Sequence, residues 1–469
     1  MKKRIATIII AAMLASMLAA CGGSSSSAEA PAAASSAKSE APAAAATSAK
    51  SEAPAAEASS AAAEAEGEIN YLEELLKLDD GLSLSGIQSA HQEDRSGVYK
   101  ALDKIEKKDD VTLAFAGASL GAEFFVSWEK TLVREAEDRG WTLLESNAQF
   151  DMELQNNQID AFIQQGVDCI ILNAIRLDAQ IDRIQAAVDA GIPVIVAGPS
   201  DGRDPETPVV TVVVAGANIQ GYYAGEYAAE KMYDASNPLK VGFCTAFLSD
   251  ASSCSRCCGF ISGWIAKAAE INGTPFENRY AATIEGLRIW KEVKDKGKYD
   301  ASDEWSINFV GYGQGEGTDA SAGQVATSDL LTAHSDMDLL VIEVDQMTSG
   351  AISEIEQHSL VPGEDIKLIC CSDGTEAICE MIKDGLVMGS TLNVPEFYTF
   401  GIFTALDAMF TDKAVDFDIN NLTLNEYNPT EMITEENIDD YYYPGCMFGT
   451  AHVSFDFYDV PGWNAANNG

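Results

Sequence analysis

Gly117-Ala118-Ser119-Leu120-Gly121 has the G-x-S-x-G spacing of a nucleophile elbow, where small residues let a strand turn sharply into a helix and expose a serine hydroxyl for acyl transfer. Such a serine needs a base after it. Of four histidines, His91 lies upstream, His334 and His358 fall in helix-like segments, and His452 lies near the C-terminus. The elbow would also sit on the first strand, with no earlier strand-loop to supply a second oxyanion donor. A surface hydrolase using Ser119 is therefore the alternative, and a tight strand-to-helix turn the simpler account. The run Gly311-Tyr312-Gly313-Gln314-Gly315-Glu316-Gly317 invites a dinucleotide, but its spacing departs from G-x-G-x-x-G and Glu316 would repel a pyrophosphate. A flexible cleft loop is expected there. Cys254-Ser255-Arg256-Cys257-Cys258 contains one C-x-x-C that Cys370-Cys371 would approach if their strands were neighbours. Without a second paired spacing, disulfides or free thiols are expected ahead of zinc, and Cys169, Cys244 and Cys370, within apolar strands, read as core. No catalytic residue, metal or cofactor is predicted.

These residues are spaced along a repeating pattern of β-branched run, small-residue turn and amphipathic segment. Strands are expected over 111–117, 141–145, 168–174, 193–198, 209–215, 240–245, 307–313, 338–344, 366–371 and 387–393. Phe124, Phe125, Trp128, Leu132, Val133 and Ala136, then Ile181, Ile184 and Val188, recur at helical spacing. Continuous apolar strands separated by helices imply parallel sheets covered on both faces, an α/β doubly wound class. Between 193–198 and 209–215 there is no room for a crossover helix, and this break in alternation predicts a domain boundary rather than a closed barrel.

The 469 residues are enough for two or three domains. With 73 acidic and 30 basic residues, the net charge of −43 disfavours nucleic acid and anionic lipid by repulsion. Lys2, Lys3 and Arg4 precede an apolar run to Ala20 that is too short for a stable span and reads as an export signal. Leu18-Ala19-Ala20-Cys21 resembles a bacterial lipobox, which implies lipidation at Cys21. Residues 22–67, rich in Ala, Ser, Pro and Glu and devoid of aromatics, read as a tether that cannot fold alone. Such an arm holds a folded body outside a membrane by its lipid anchor only.

From about Val111 to Tyr442 the chain resembles the sugar-binding group of type I periplasmic binding proteins, the ribose-binding-like receptors of ABC importers. The resemblance rests on an ordered series: Phe124-Phe125 after the first strand, Gln164 to Asn173, Ala190 to Ile195, Ala224-Gly225-Glu226-Tyr227, Arg256 with Gly259-Phe260, Asp373-Gly374, and Ile433 to Tyr441. It implies two doubly wound parallel-sheet lobes joined by a hinge, with a sugar held between them. Ligands of open α/β sheets bind beyond the carboxyl ends of the strands, and sugars offer hydroxyls to planar charged groups and C–H faces to aromatics. The implied organisation is 1–20 signal peptide, 21–67 lipidated cysteine and tether, 68–107 lead-in helix, 108–215 plus 394–428 N-terminal lobe, and 216–393 plus 429–469 C-terminal lobe and tail.

By the same resemblance Phe124 and Phe125 would stack on the ligand, Arg256 and Asp373 would bind hydroxyls, and Asn393 would stand near the hinge. A later cleft asparagine of the family falls at Val344, beside Asp345. Gly198-Pro199 replaces the Asp-Arg pair of many relatives, Gly216-Ala217 replaces an Asp-Asn pair, and the asparagine expected near the first aromatics is Gly121 or Ala122. An insertion over 271–306 carrying Trp290 and Trp305 is expected to cap or reshape the pocket. The implied partners are a monosaccharide or related polyol and an ABC permease, with no nucleic acid, the protein being a monomer. A sensory receptor feeding a membrane kinase is a further alternative.

Overall fold

Six strands form the first of two main sheets; five of them are largely buried, because a strand covered by helices on both faces has no polar side to show water, while the edge strand over 142–147 is half-exposed. The computed structural model describes residues 69–87, 95, 102, 105–198, 201–202, 204, 206–415, 424–428 and 430–442. The segments expected as signal and tether, Cys21, His91, His452, Cys446 and residues beyond Tyr442 lie outside them. After the short helix α1 (Tyr71–Leu76), the chain runs β1 (Thr112–Gly117), α2 (Glu123–Asp138), β2 (Thr142–Asn147), α3 (Met152–Gln165), β3 (Cys169–Leu172), α4 (Leu177–Asp189), β4 (Val194–Gly198) and β5 (Val212–Val214). It continues as α5 (Ala217–Met232), β6 (Leu239–Thr245), α6 (Ala251–Ile271), α7 (Arg279–Lys296), β7 (Tyr299–Ala301), α8 (Ser302–Trp305), β8 (Ile307–Gln314) and α9 (Ala320–Ala333). Then come β9 (Leu339–Ile342), α10 (Thr348–Gln357), β10 (Lys367–Cys370), α11 (Glu376–Lys383), β11 (Gly389–Thr391), α12 (Pro395–Phe410), β12 (Asn425–Tyr427), β13 (Met432–Thr434) and α13 (Ile438–Tyr441).

The first sheet has the order β12-β5-β4-β3-β1-β2, all parallel, and the second β10-β9-β6-β8-β7, parallel except for its edge strand β7. This is the expected two-lobed, doubly wound α/β fold. The chain passes between the lobes three times: β5 to α5, β11 to α12, and β12 to β13. β11 and β13 form a small antiparallel pair beside these crossings. Among the described residues no helix is long and apolar enough to cross a membrane.

Several expectations are corrected. β4 and β5 are neighbours in one sheet, Val196 opposite Val212, so the missing crossover helix marks a loop connection and the change of lobe follows β5. The segment 387–393 supplies only β11, which pairs antiparallel instead of joining a main sheet. The glycine-rich run is strand as far as Gln314. At Gly313 a Cβ would lie 1.8 Å from Ala326 O, so glycine there lets α9 lie against the strand instead of loosening a loop. The 271–306 insertion does not cap the cleft: its helix α7 packs on α6 and α1, and Trp290 is buried in the second-lobe core with Phe243. Apolar residues on α7 bury more surface there than over a polar cleft.

The lead-in is helical only over α1 among its described residues, apart from a 3-10 turn at Leu102. Asp79 and Asp80 take the backbone N–H groups of Gly81, Leu82 and Ser83, offering the chain turns in place of helix. It nevertheless binds both lobes. Trp290 Nε1 donates to Ser83 Oγ at 3.1 Å, Ser85 N donates to Ser255 Oγ at 2.8 Å and Asn218 N to Ser85 O at 2.9 Å in the second lobe. Gly86 N reaches Asp201 of the first lobe at 3.2 Å, and the buried Arg95 donates to Thr207 O, Val209 O and Val210 O.

Candidate functional site

The polar groups between the lobes arise where adjacent strands end. β6 leads into α6, whose N-cap Asp250 accepts from Ser252 N at 2.9 Å and starts the helix so that Arg256 falls in its second turn. Glu343 follows β9 directly, and Asp373 follows β10. Because β10, β9 and β6 are neighbours, these three groups converge at one carboxyl edge. On the first sheet, β1 leads into α2, which carries Phe124 and Phe125 in its first turn.

Arg256 is 5% exposed and already shared: its Nε donates to Gln220 Oε1 at 3.1 Å, Nη1 lies 3.6 Å from Glu343 Oε1, and Nη2 lies 4.0 Å from Asp373 Oδ1. Glu343 also accepts from Ala246 N and Ser253 Oγ, both at 2.7 Å. Burial pushes its carboxyl above the ordinary range while Arg256 pulls it back. Asp373 Oδ1 accepts from Asn393 Nδ2 at 2.7 Å and its Oδ2 from Gln346 Nε2 at 3.2 Å. Asn393 Oδ1 accepts in turn from the Tyr398 hydroxyl at 3.3 Å. Burial raises the Tyr398 pKa, so the phenol keeps its proton and acts as donor.

The structure thus joins Arg256, Asp373 and Asn393 in one polar chain, which ends at Tyr398 of α12. Phe124 packs edge-on against the Tyr398 ring at 5.7 Å and touches apolar residues of both lobes. Phe125 stands one step outward, between Phe124 and the exposed Phe150. Asp345 has another arrangement. Its Oδ2 accepts from Gly374 N at 2.7 Å, Thr375 N at 2.8 Å and Thr375 Oγ1, and its Oδ1 from Ser390 Oγ at 2.7 Å. It holds the turn that carries Asp373, and burial, with Asp373 nearby, raises its pKa to about 6. Sequence reasoning missed Gln220, Glu343, Gln346 and Tyr398. Glu343 had a signal, a lone acid closing the apolar run Leu339–Ile342.

Two cavities are lined from both lobes. One of about 480 Å³ lies between Glu123 and the Asp345, Gln346 and Thr375 region. Another of about 660 Å³ lies between the 175–181 and 201–208 segments and Leu82, Ser85 and Asp250. Fixed donors and acceptors beside aromatic edges suit a neutral ligand rich in hydroxyls. Acyl transfer finds no such support. Ser119 Oγ accepts from Gly121 N at 2.9 Å, and His334 and His358 cap α9 and α10 in the other lobe. The eight described cysteines are buried free thiols, and among the described residues no group of three or more His, Cys, Asp or Glu is placed to hold a metal.

Residues 113–414 match the periplasmic binding protein domain. The chain is 27% identical over 313 residues to the ribose import binding protein RbsB of Bacillus subtilis, covering 67% of this chain and 86% of that protein. Its fold is similar to that of the periplasmic binding protein of the arabinose ABC transporter from Shewanella sp. ANA-3, bound to L-arabinofuranose. That match has a TM-score of 0.55 at 18% identity, over 70% of this chain and 93% of that one. An ABC transporter solute binding protein from Bacillus halodurans with bound myo-inositol gives a TM-score of 0.52 at 19% identity, over 71% and 97%.

Proposed function

The chain belongs to the periplasmic binding protein family, and from that premise we propose that it is an extracytoplasmic receptor that takes a neutral sugar or related polyol between its lobes and delivers it to an ABC permease. The observation that carries this reading is the chain Arg256–Asp373–Asn393–Tyr398, set against Phe124 at the facing ends of the two sheets. Groups from both lobes meet there, so a ligand contacting them favours the closed arrangement. The relatives named above bind pentoses and a cyclitol, which supports a small polyhydroxylated ligand. Arg256 is largely neutralised by Glu343 and Asp373, so the site favours an uncharged ligand over an anion. The family is one of binding proteins, and we assign the chain no catalytic step. Leu18-Ala19-Ala20-Cys21 supports a lipid anchor at Cys21.

Scanning fluorimetry with D-ribose, L-arabinose, D-galactose and myo-inositol tests this. At a hundredfold excess over Kd a ligand stabilises by about 2.7 kcal/mol, or roughly 5 °C in Tm for lobes of this size, and Asp373→Asn should abolish the shift. No shift with any of them, in protein shown to be native by circular dichroism, would overturn the assignment.

A further inference from the structure

Asn428 lies in the third crossing, between β12 and β13, and is 2% exposed. Its backbone N donates to Val214 O at 2.9 Å, which pins it where the first sheet hands the chain to α5. Its side chain is different: among the described residues neither Oδ1 nor Nδ2 makes a hydrogen bond of ordinary geometry, and only the Tyr398 hydroxyl lies near enough to feel the amide. Other buried amides in this region are matched. Asn173 bridges Ala118 N and Ala197 O, Asn425 exchanges two bonds with Gly202, and Asn393 joins Asp373 to Tyr398. Among the buried amides of the described residues, Asn428 is the one with both ends unmatched. Leaving such groups buried is costly unless something binds them.

We propose that Asn428 is a further ligand-recognising residue of this site, its amide oxygen accepting from one sugar hydroxyl and its NH2 donating to the next. The proposal rests on the receptor reading above. Asn428 lies near enough to Tyr398 to act on its hydroxyl, and Tyr398 is the terminal member of the Arg256–Asp373–Asn393 chain. A primary amide offers an acceptor and donors side by side, the pattern that a pair of adjacent hydroxyls requires. The sequence has Gly198 and Gly121, residues without side-chain hydrogen-bonding groups, where many relatives carry an aspartate and an asparagine.

The test is calorimetric titration of wild type, Asn428→Ala and Asn428→Leu with D-ribose, L-arabinose and D-galactose, alongside the Tm of each ligand-free protein. Both variants are expected to weaken binding of the wild-type ligand at least tenfold while the ligand-free Tm stays level or rises, because an unmatched buried amide has been removed. A purely structural asparagine gives the opposite pair of results, lower ligand-free Tm with affinity unchanged, and that pair overturns the proposal. Asn428→Leu keeps the volume and guards against a cavity effect in Asn428→Ala. If wild type binds none of the three sugars and myo-inositol gives no shift either, the receptor reading fails and takes this inference with it. If wild type binds and both variants bind as tightly, the inference alone fails.

Discussion

Arg256 divides its guanidinium among Gln220, Glu343 and Asp373 before any ligand is present, so its removal strands charges that were taken out of water for its sake. Breaking a buried pair from one side costs about 3–5 kcal/mol, because the remaining ion is left uncompensated. Arg256→Ala should therefore lower stability by about 3 kcal/mol in urea unfolding, besides abolishing ligand binding. Glu343→Gln in that background should restore part of the loss. If the double variant is as unstable as the sum of the singles, Glu343 and Arg256 are not coupled. Arg256, Asp373, Asn393 and Phe124 were named in the sequence through the family resemblance alone, and the structure brings them together between the lobes. Gln220 and Tyr398 were not: Gln220 lies on another helix from Arg256 and only folding brings them together, while Tyr398, close to Asn393 in the chain, sits in an apolar helix that reads as core. Asp345 was legible as a cleft-edge acid, but not that backbone N–H groups already occupy it.

The pairing of α5 with α6 holds Arg256 and Gln220 in register. It is built on glycines. A Cβ at Gly221 would lie 2.1 Å from Arg256 O, at Gly225 2.0 Å from Phe260 O, at Gly259 2.0 Å from Asn218 O and at Gly263 1.9 Å from Tyr222 O. Backbone meets backbone at all four positions, so nothing flexible can move aside. Gly259→Ala should cost about 3 kcal/mol by overpacking and weaken ligand binding by displacing Arg256; unchanged stability by urea titration would refute the close approach. On the outer side of α5, Glu226 faces a cavity of about 350 Å³ with Tyr223, Tyr227, Glu230 and Glu431. Burial raises its pKa from 4.5 to about 7. The folded state thus binds the proton more tightly than the unfolded state, and stability contributed by the neutral acid is present below pH 4.5 and lost as pH rises to 7. Glu226→Gln should flatten that decline and stabilise the protein above pH 7 by on the order of 2 kcal/mol, read from unfolding curves at pH 5 and pH 8. The longer parallel strands and the helices α2 and α4 were legible, because continuous apolar runs and helical spacing mark them directly. The three-residue strands β7, β12 and β13 were not, being too short to carry a period and defined by their neighbours alone.

At the scale of the molecule, the lead-in is the part that neither charge nor spacing revealed. It was legible only as a helical approach, since a segment made of aspartate turns and glycines has no periodicity of its own. It lies before the matched family region, yet it is held by α7 through Lys294 with Asp80 at 3.0 Å and Trp290 with Ser83, then enters the first lobe through Gly86 and Arg95. Its tightest point is Gly86, at φ +73°, where a Cβ would lie 2.6 Å from Gly216 Cα in the β5-to-α5 crossing. A valine there would meet both a disfavoured backbone conformation and a backbone neighbour that cannot move. Gly86→Val should lift the lead-in from the crossing, lower stability by about 2–4 kcal/mol and open the 69–87 segment to limited proteolysis, while far-ultraviolet circular dichroism of the two lobes is preserved. Arg95→Ala gives the complementary cut, freeing the first-lobe end by removing three buried hydrogen bonds to backbone carbonyls without touching Gly216. If both variants resist protease as wild type does, the lead-in is not what ties the lobes at this point. If both are clipped and ligand affinity falls together with the rise in cleavage, the ties across the hinge include this fourth strand of chain as well as the three family crossings.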